Sequence, residues 1–166
     1  MTKRVDKHNY YLDMAQTVLE RATCLRRKYG AVIVKNDEVI ATGYNGAPRG
    51  RENCTDLDFC AREKLNIKQG QNYELCRSVH AEQNAIISAA RRDTKGATMY
   101  MVGIDAKTGE VLDHIDSCIM CKRVVINAGI ERVIVKDKSS EEGYKIYDVN
   151  DWVKFDEVLN KNLNLK

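Results

Sequence analysis

From residue 31 onward, strand-sized apolar runs alternate with segments of helical periodicity, and a chain written this way buries its apolar faces by packing helices on a sheet. Residues 31–34 (Ala-Val-Ile-Val) and 39–42 (Val-Ile-Ala-Thr) are β-rich runs flanking Lys35-Asn36-Asp37-Glu38, the pattern of a hairpin with a short polar turn. Residues 99–102, 133–135 and 144–149 read as further strands. Between them the spacing predicts a helix from a Ser78 cap through His80 to Ala90, and another over 118–128, capped by Asp116 or Ser117 and closed by Gly129. Before the hairpin, Tyr11, Met14, Ala15, Val18, Leu19, Ala22 and Leu25 mark one face of a helix over 9–25. A last helix, capped by Asn150 or Asp151, carries Trp152, Phe155, Val158 and Leu159 on one face. An opening hairpin followed by alternation predicts a three-layer α/β/α sandwich with a mixed central sheet and right-handed crossovers between its later strands.

A chain of 166 residues fits one domain, 1–166, interrupted by a Cys-containing insertion at about 45–77; four of the ten glycines and the one proline, Pro48, fall between Gly43 and Gln71, and a short helix is expected there over 57–65. The net charge of +3 and the near balance of 27 basic with 24 acidic residues do not describe a nucleic-acid surface. The basic N-terminus lacks the apolar stretch of a secretory signal, and no run approaches a membrane span, so a cytoplasmic protein is expected. In that reducing compartment the six cysteines, at 24, 54, 60, 76, 118 and 121, are better read as metal ligands or catalytic groups than as disulfides.

Two short motifs carry chemistry together that neither carries alone. Three histidines and 24 acidic residues make roughly 0.4 chance His-x-acid pairs in this length, and His114-Ile115-Asp116 is one such pair. His80-Ala81-Glu82 and Cys118-Ile119-Met120-Cys121 differ in standing at the starts of two predicted helices. Catalytic zinc takes three protein ligands and keeps its fourth position open, a demand that His80, Cys118 and Cys121 meet. Two helix N-termini, with Arg123 beside them, would offset the charge of two thiolates. Glu82, two residues beyond His80, is the candidate proton shuttle between water, a ring nitrogen and departing ammonia. Against these stand plainer readings: an ordinary acidic helix start, a redox dithiol or a structural zinc. His8 and His114 are expected to be solvated.

The segments Arg21-Ala22-Thr23-Cys24-Leu25-Arg26, Gly30-Ala31-Val32-Ile33-Val34, Gly43-Tyr44-Asn45-Gly46, His80-Ala81-Glu82-Gln83-Asn84-Ala85-Ile86 and Cys118-x-x-Cys121-Lys122 resemble the deoxycytidylate deaminase family over roughly residues 10–136. The resemblance implies the cytidine deaminase-like fold and zinc-dependent conversion of dCMP to dUMP, which supplies thymidylate synthesis. It also implies a homo-oligomer, a hexamer as first expectation, and dCTP and dTTP as allosteric effectors. By the family's pattern Arg26 contacts the 5′-phosphate and Asn45 the sugar; a solvated helix end and a turn residue are the alternatives. Ser117 departs from the pattern, because the family usually has proline there.

Cys24, Cys54, Cys60 and Cys76 remain, the number a closed structural zinc site requires, with burial as small hydrophobes the alternative. Rival functions are deamination of dCTP or CMP, a base deaminase acting on nucleic acid, and a zinc-stabilised binding protein for which Glu82 would be needless.

Overall fold

A computed structural model describes residues 3–163; Met1, Thr2 and residues 164–166 of the expected domain lie outside the described residues. Its five-stranded sheet has the order β2-β1-β3-β4-β5 and is mixed. β1 (Arg27–Lys35) pairs antiparallel with β2 (Glu38–Tyr44) and with β3 (Thr98–Asp105), β3 runs parallel to β4 (Arg132–Lys136), and β4 is antiparallel to β5 (Tyr144–Asp148). The β1–β2 hairpin turns on Asn36 and Asp37, both at positive φ as a two-residue turn of matching twist requires.

Side-chain alternation sorts the central strands onto two faces. Val32, Val34, Tyr100, Val102 and Ile134 meet Tyr11, Leu12, Ala15 and Leu19 of α1 (Lys7–Leu19). Ala31, Ile33, Met99, Met101, Val133 and Val135 meet the opposite layer. That layer holds α4 (Ala81–Ile87), α6 (Ile119–Ala128) and α7 (Val149–Lys154). The fold is thus a three-layer α/β/α sandwich. No helix among the described residues is long and apolar enough to cross a membrane.

Several boundaries differ from the sequence expectation. α1 stops at Leu19 rather than near Leu25, because the chain must reverse into β1, where Gly30 sits against the backbone of Ala15 and Leu19. In the segment joining β2 to α4, the expected helix over 57–65 is two single turns, α2 (Cys54–Leu57) and α3 (Ala61–Lys64), separated by Asp58 in the left-handed region. A 3-10 turn follows at Tyr73–Leu75. α4 ends at Ile87, and residues 91–94 form a separate turn, α5 (Arg91–Thr94). The last helix is also divided: α7 starts from Asp148 and ends at Lys154, and Asp156 then caps a new turn over Glu157–Asn162, which leaves Phe155, Val158 and Leu159 exposed. Helical segments join two parallel strand pairs: α6 connects the neighbours β3 and β4, and the segment carrying α4 connects β2 to β3 across β1. The short link 137–143 cannot carry a parallel connection and returns β5 antiparallel.

The seat of α4 depends on Gly43 of β2, where any Cβ would collide with the backbone of Ala81 and Ala85. Gly43→Ala is therefore expected to cost about 3 kcal/mol, the upper end of overpacking, and to lower Tm by about 10 °C in a thermal melt. A melt unchanged from wild type would contradict this seat.

Candidate active site

His80 and Cys118 were expected inside helices capped by serines, but each is itself the N-cap of its helix. The His80 backbone N–H donates to the Gln83 side chain (3.0 Å), and the Cys118 sulfur accepts from the Cys121 backbone N–H (3.4 Å). The two helix starts converge: His80 Nδ1 lies 3.6 Å from Cys118 Sγ and 3.3 Å from Cys121 Sγ. Tetrahedral zinc sets neighbouring nitrogen and sulfur ligands about 3.5 Å apart, so this donor set fits that ion in both chemistry and spacing. Among the described residues it is the one group of three or more metal-binding side chains whose ligand atoms all lie within 4.8 Å of one another.

The cluster is electrostatically uneven. A hydrogen bond from Cys121, opposed by burial and reinforced by the His80 ring, brings the Cys118 thiol down to about 4. Its neighbour Cys121 is pushed up, first because it keeps the shared proton and then by burial. Burial works against a charge on His80, yet bonds to Cys118 and Cys76 raise its pKa to about 10. Glu82 is 5% exposed and lines the cavity beside this cluster. Burial pushes its carboxyl up, while its own backbone N–H and the His80 charge work in the other direction.

The cavity, about 140 Å³, is walled by the sheet end on one side and by the β2–α4 segment on the other. Arg26 and Asn45 both line it. Asn45 is committed to β1: its Oδ1 accepts from Tyr29 N–H (2.7 Å) and its Nδ2 donates to the Arg27 carbonyl (2.9 Å). Arg26 faces Glu63 at 3.4 Å. Arg123 is exposed and does not line the cavity; Arg26, Arg27 and Arg62 bring positive charge there instead.

The other four cysteines are not drawn into a comparable cluster. Cys24, Cys60 and Cys76 line the cavity; Cys54 is buried, and burial raises its pKa against the opposing charge of Arg77. Cys76 stands beside the His80 imidazole, which, against the effect of burial, holds the Cys76 thiol below its usual pKa. His8, expected in solvent, is half-buried, with Nδ1 3.0 Å from the Tyr100 hydroxyl. Exposed His114 lies 3.5 Å from Asp137. Sequence reasoning missed Arg62 and Tyr73, neither of which stands in a recognisable motif.

Residues 5–137 match the family described as the cytidine and deoxycytidylate deaminase zinc-binding region. The chain is 35% identical over 141 residues to the deoxycytidylate deaminase of Mycobacterium phage D29, covering 82% of this chain and 98% of that protein. It is 32% identical over 127 residues to the deoxycytidylate deaminase of Schizosaccharomyces pombe, covering 76% of this chain but only 35% of that longer protein. Among solved structures, the dCMP deaminase of cyanophage S-TIM5 in apo form superposes with a TM-score of 0.55 at 23% identity, over 81% of this chain and 86% of that one.

The uneven cluster makes a chemical prediction for metal-free protein. At pH 6 a thiol with a pKa of about 4 is thiolate, whereas an ordinary one near 8.5 is almost wholly protonated. Iodoacetamide at pH 6, read by peptide mass spectrometry, should modify Cys118 before Cys54, and added zinc should protect Cys118. Equal rates at the two positions would contradict the charge arrangement.

Proposed function

The chain belongs to the cytidine and deoxycytidylate deaminase zinc-binding family, and on that premise we propose that it hydrolyses dCMP to dUMP and ammonia, with His80, Cys118 and Cys121 as zinc ligands and Glu82 as the proton-transfer residue. The observation that carries this reading is the buried Glu82 carboxyl lining the same cavity as the His80–Cys118–Cys121 cluster. Zinc held there supplies a Lewis acid that brings the pKa of water near 7. Glu82 accepts a proton from water and delivers it to the ring nitrogen next to the amine-bearing carbon. The water oxygen bonds to that carbon, the carbon–amine bond breaks, and a second proton passing through Glu82 leaves with ammonia. Burial suits Glu82 to this work, since a carboxyl raised towards neutrality both takes and gives protons readily.

Arg26 is assigned to the 5′-phosphate, which a guanidinium fork matches, at the cost of its contact with Glu63. Asn45, held by its bonds to the backbone of β1, is assigned to the sugar. A single domain over 1–166, a homo-oligomeric and hexameric state, response to dCTP and dTTP, cytoplasmic residence and a supply of dUMP to thymidylate synthesis complete the proposal. So does a second, structural zinc on Cys24, Cys54, Cys60 and Cys76, supported by the donor count and by the electrostatic influence of Cys24 and Cys60 on Cys54.

Ultraviolet assays with dCMP, dCTP, CMP and deoxycytidine test the function. Glu82→Gln is expected to lower kcat for dCMP by about 10³-fold while zinc stays bound, the scale of lost acid–base catalysis. Failure of every cytosine substrate, or full activity in Glu82→Gln, would overturn the mechanism. In a zinc assay of purified protein, the second site predicts two ions per chain, falling to one in Cys60→Ser; one ion in both proteins would remove it.

A further inference from the structure

Nucleophilic attack on a ring carbon comes along the normal to the ring, so a pyrimidine in this cavity needs a wall that holds its plane beside the metal ligands. The β2–α4 segment provides an aromatic one. The Tyr73 ring stands edge-on to the His80 imidazole, with centroids 5.3 Å apart and planes at 85°, and it lines the cavity that contains Glu82. Its position is set by an unusual device. Arg62 is 4% exposed and directs its guanidinium to backbone carbonyls rather than to a carboxylate: Nη1 donates to Asn72 O at 2.7 Å and Nη2 to Lys68 O at 3.0 Å. The same guanidinium lies 4.9 Å from the centroid of the Tyr73 ring. A buried charge is expensive, and here it is offset by two carbonyls and an aromatic face, all within residues 68–73. One side chain thus fixes both the path of that loop and the ring at its end.

Building on the proposed function, we infer that Tyr73 is the side chain that packs against the pyrimidine base, and that Arg62 is its positioning residue. Aromatic packing is tolerant of ring substituents, so the hydroxyl of Tyr73 is dispensable and its ring is not. The inference adds a base-recognition residue, in a segment without a recognised motif, to the zinc ligands and Glu82.

Steady-state kinetics with dCMP on zinc-loaded full chain tests it. Tyr73→Phe should keep KM within about twofold of wild type, whereas Tyr73→Ala should raise KM about tenfold with kcat changed far less, the scale of losing one base–aromatic contact. Tyr73→Leu, which fills the space without a ring, should behave as Tyr73→Ala does and serves in its place if that variant does not fold. Arg62→Met should raise KM in the same direction, and combined with Tyr73→Ala it should add nothing, since the two residues act through one contact. Normal KM in Tyr73→Ala or Tyr73→Leu overturns the base contact. Fully additive losses in the double variant overturn the positioning role. Wild-type protein inactive on dCMP refutes the proposed function itself, an outcome distinct from either.

Discussion

Everything in the site depends on one convergence: two helix starts from different parts of the chain placing an imidazole nitrogen and two sulfurs within 3.3 and 3.6 Å. Neither helix could do this alone, because Cys118 and Cys121 share one turn of α6 while His80 caps α4. Using members of the cluster as helix caps has an electrostatic consequence. A first-turn backbone N–H of α6, that of Cys121, is donated to the Cys118 sulfur, and its partial positive charge favours thiolate at that position. The cluster and helix initiation thereby share an atom: the Cys118 sulfur that belongs to the cluster also accepts the Cys121 N–H.

The convergence is only as accurate as the seat of α4 on the sheet. Small residues make that seat: Ala81 and Ala85 are fully buried, and Gly43 leaves no side chain between them and β2. Close backbone approach gives a fixed helix position with little freedom to slide, since a shift of either element meets main-chain atoms rather than adaptable side chains. Glu82 inherits this rigidity. Its carboxyl is buried by the same packing and raised in pKa by the same burial, so position and protonation behaviour have one cause.

What the sequence made legible follows from which physical rule acts locally. The β-rich runs 31–34 and 39–42 and the polar stretch 35–38 between them were legible as β1, β2 and their turn because strand propensity and turn chemistry are set by adjacent residues. Helix ends were harder. Leu25 kept the apolar spacing of α1, but the reversal into β1 ended the helix at Leu19, a tertiary demand invisible to periodicity. Ser78 and Ser117 looked like caps because hydroxyls cap well, yet His80 and Cys118 took those positions. Ser117 instead directs its hydroxyl to the Met101 sulfur at 3.8 Å, a contact between a loop and β3 that no local rule contains. The apolar face expected from Trp152 to Leu159 broke at Asp156, whose side chain starts a new turn.

The least legible part, the segment joining β2 to α4, obeys a different physics from the rest. Leu65 and Leu75 are exposed, so this segment builds no hydrophobic core of its own. Its order comes from polar bonds instead: the capping contacts between Asn53 and Asp56 and the two carbonyls held by Arg62. Such bonds contribute modestly when water can replace them, and more where the guanidinium is buried. The floor of the cavity is therefore set by packed backbone and its wall by hydrogen bonds. A site of this construction keeps its reacting groups fixed while leaving to the wall the contacts that depend on the substrate, which is where Arg26 meets Glu63 and Tyr73 meets His80.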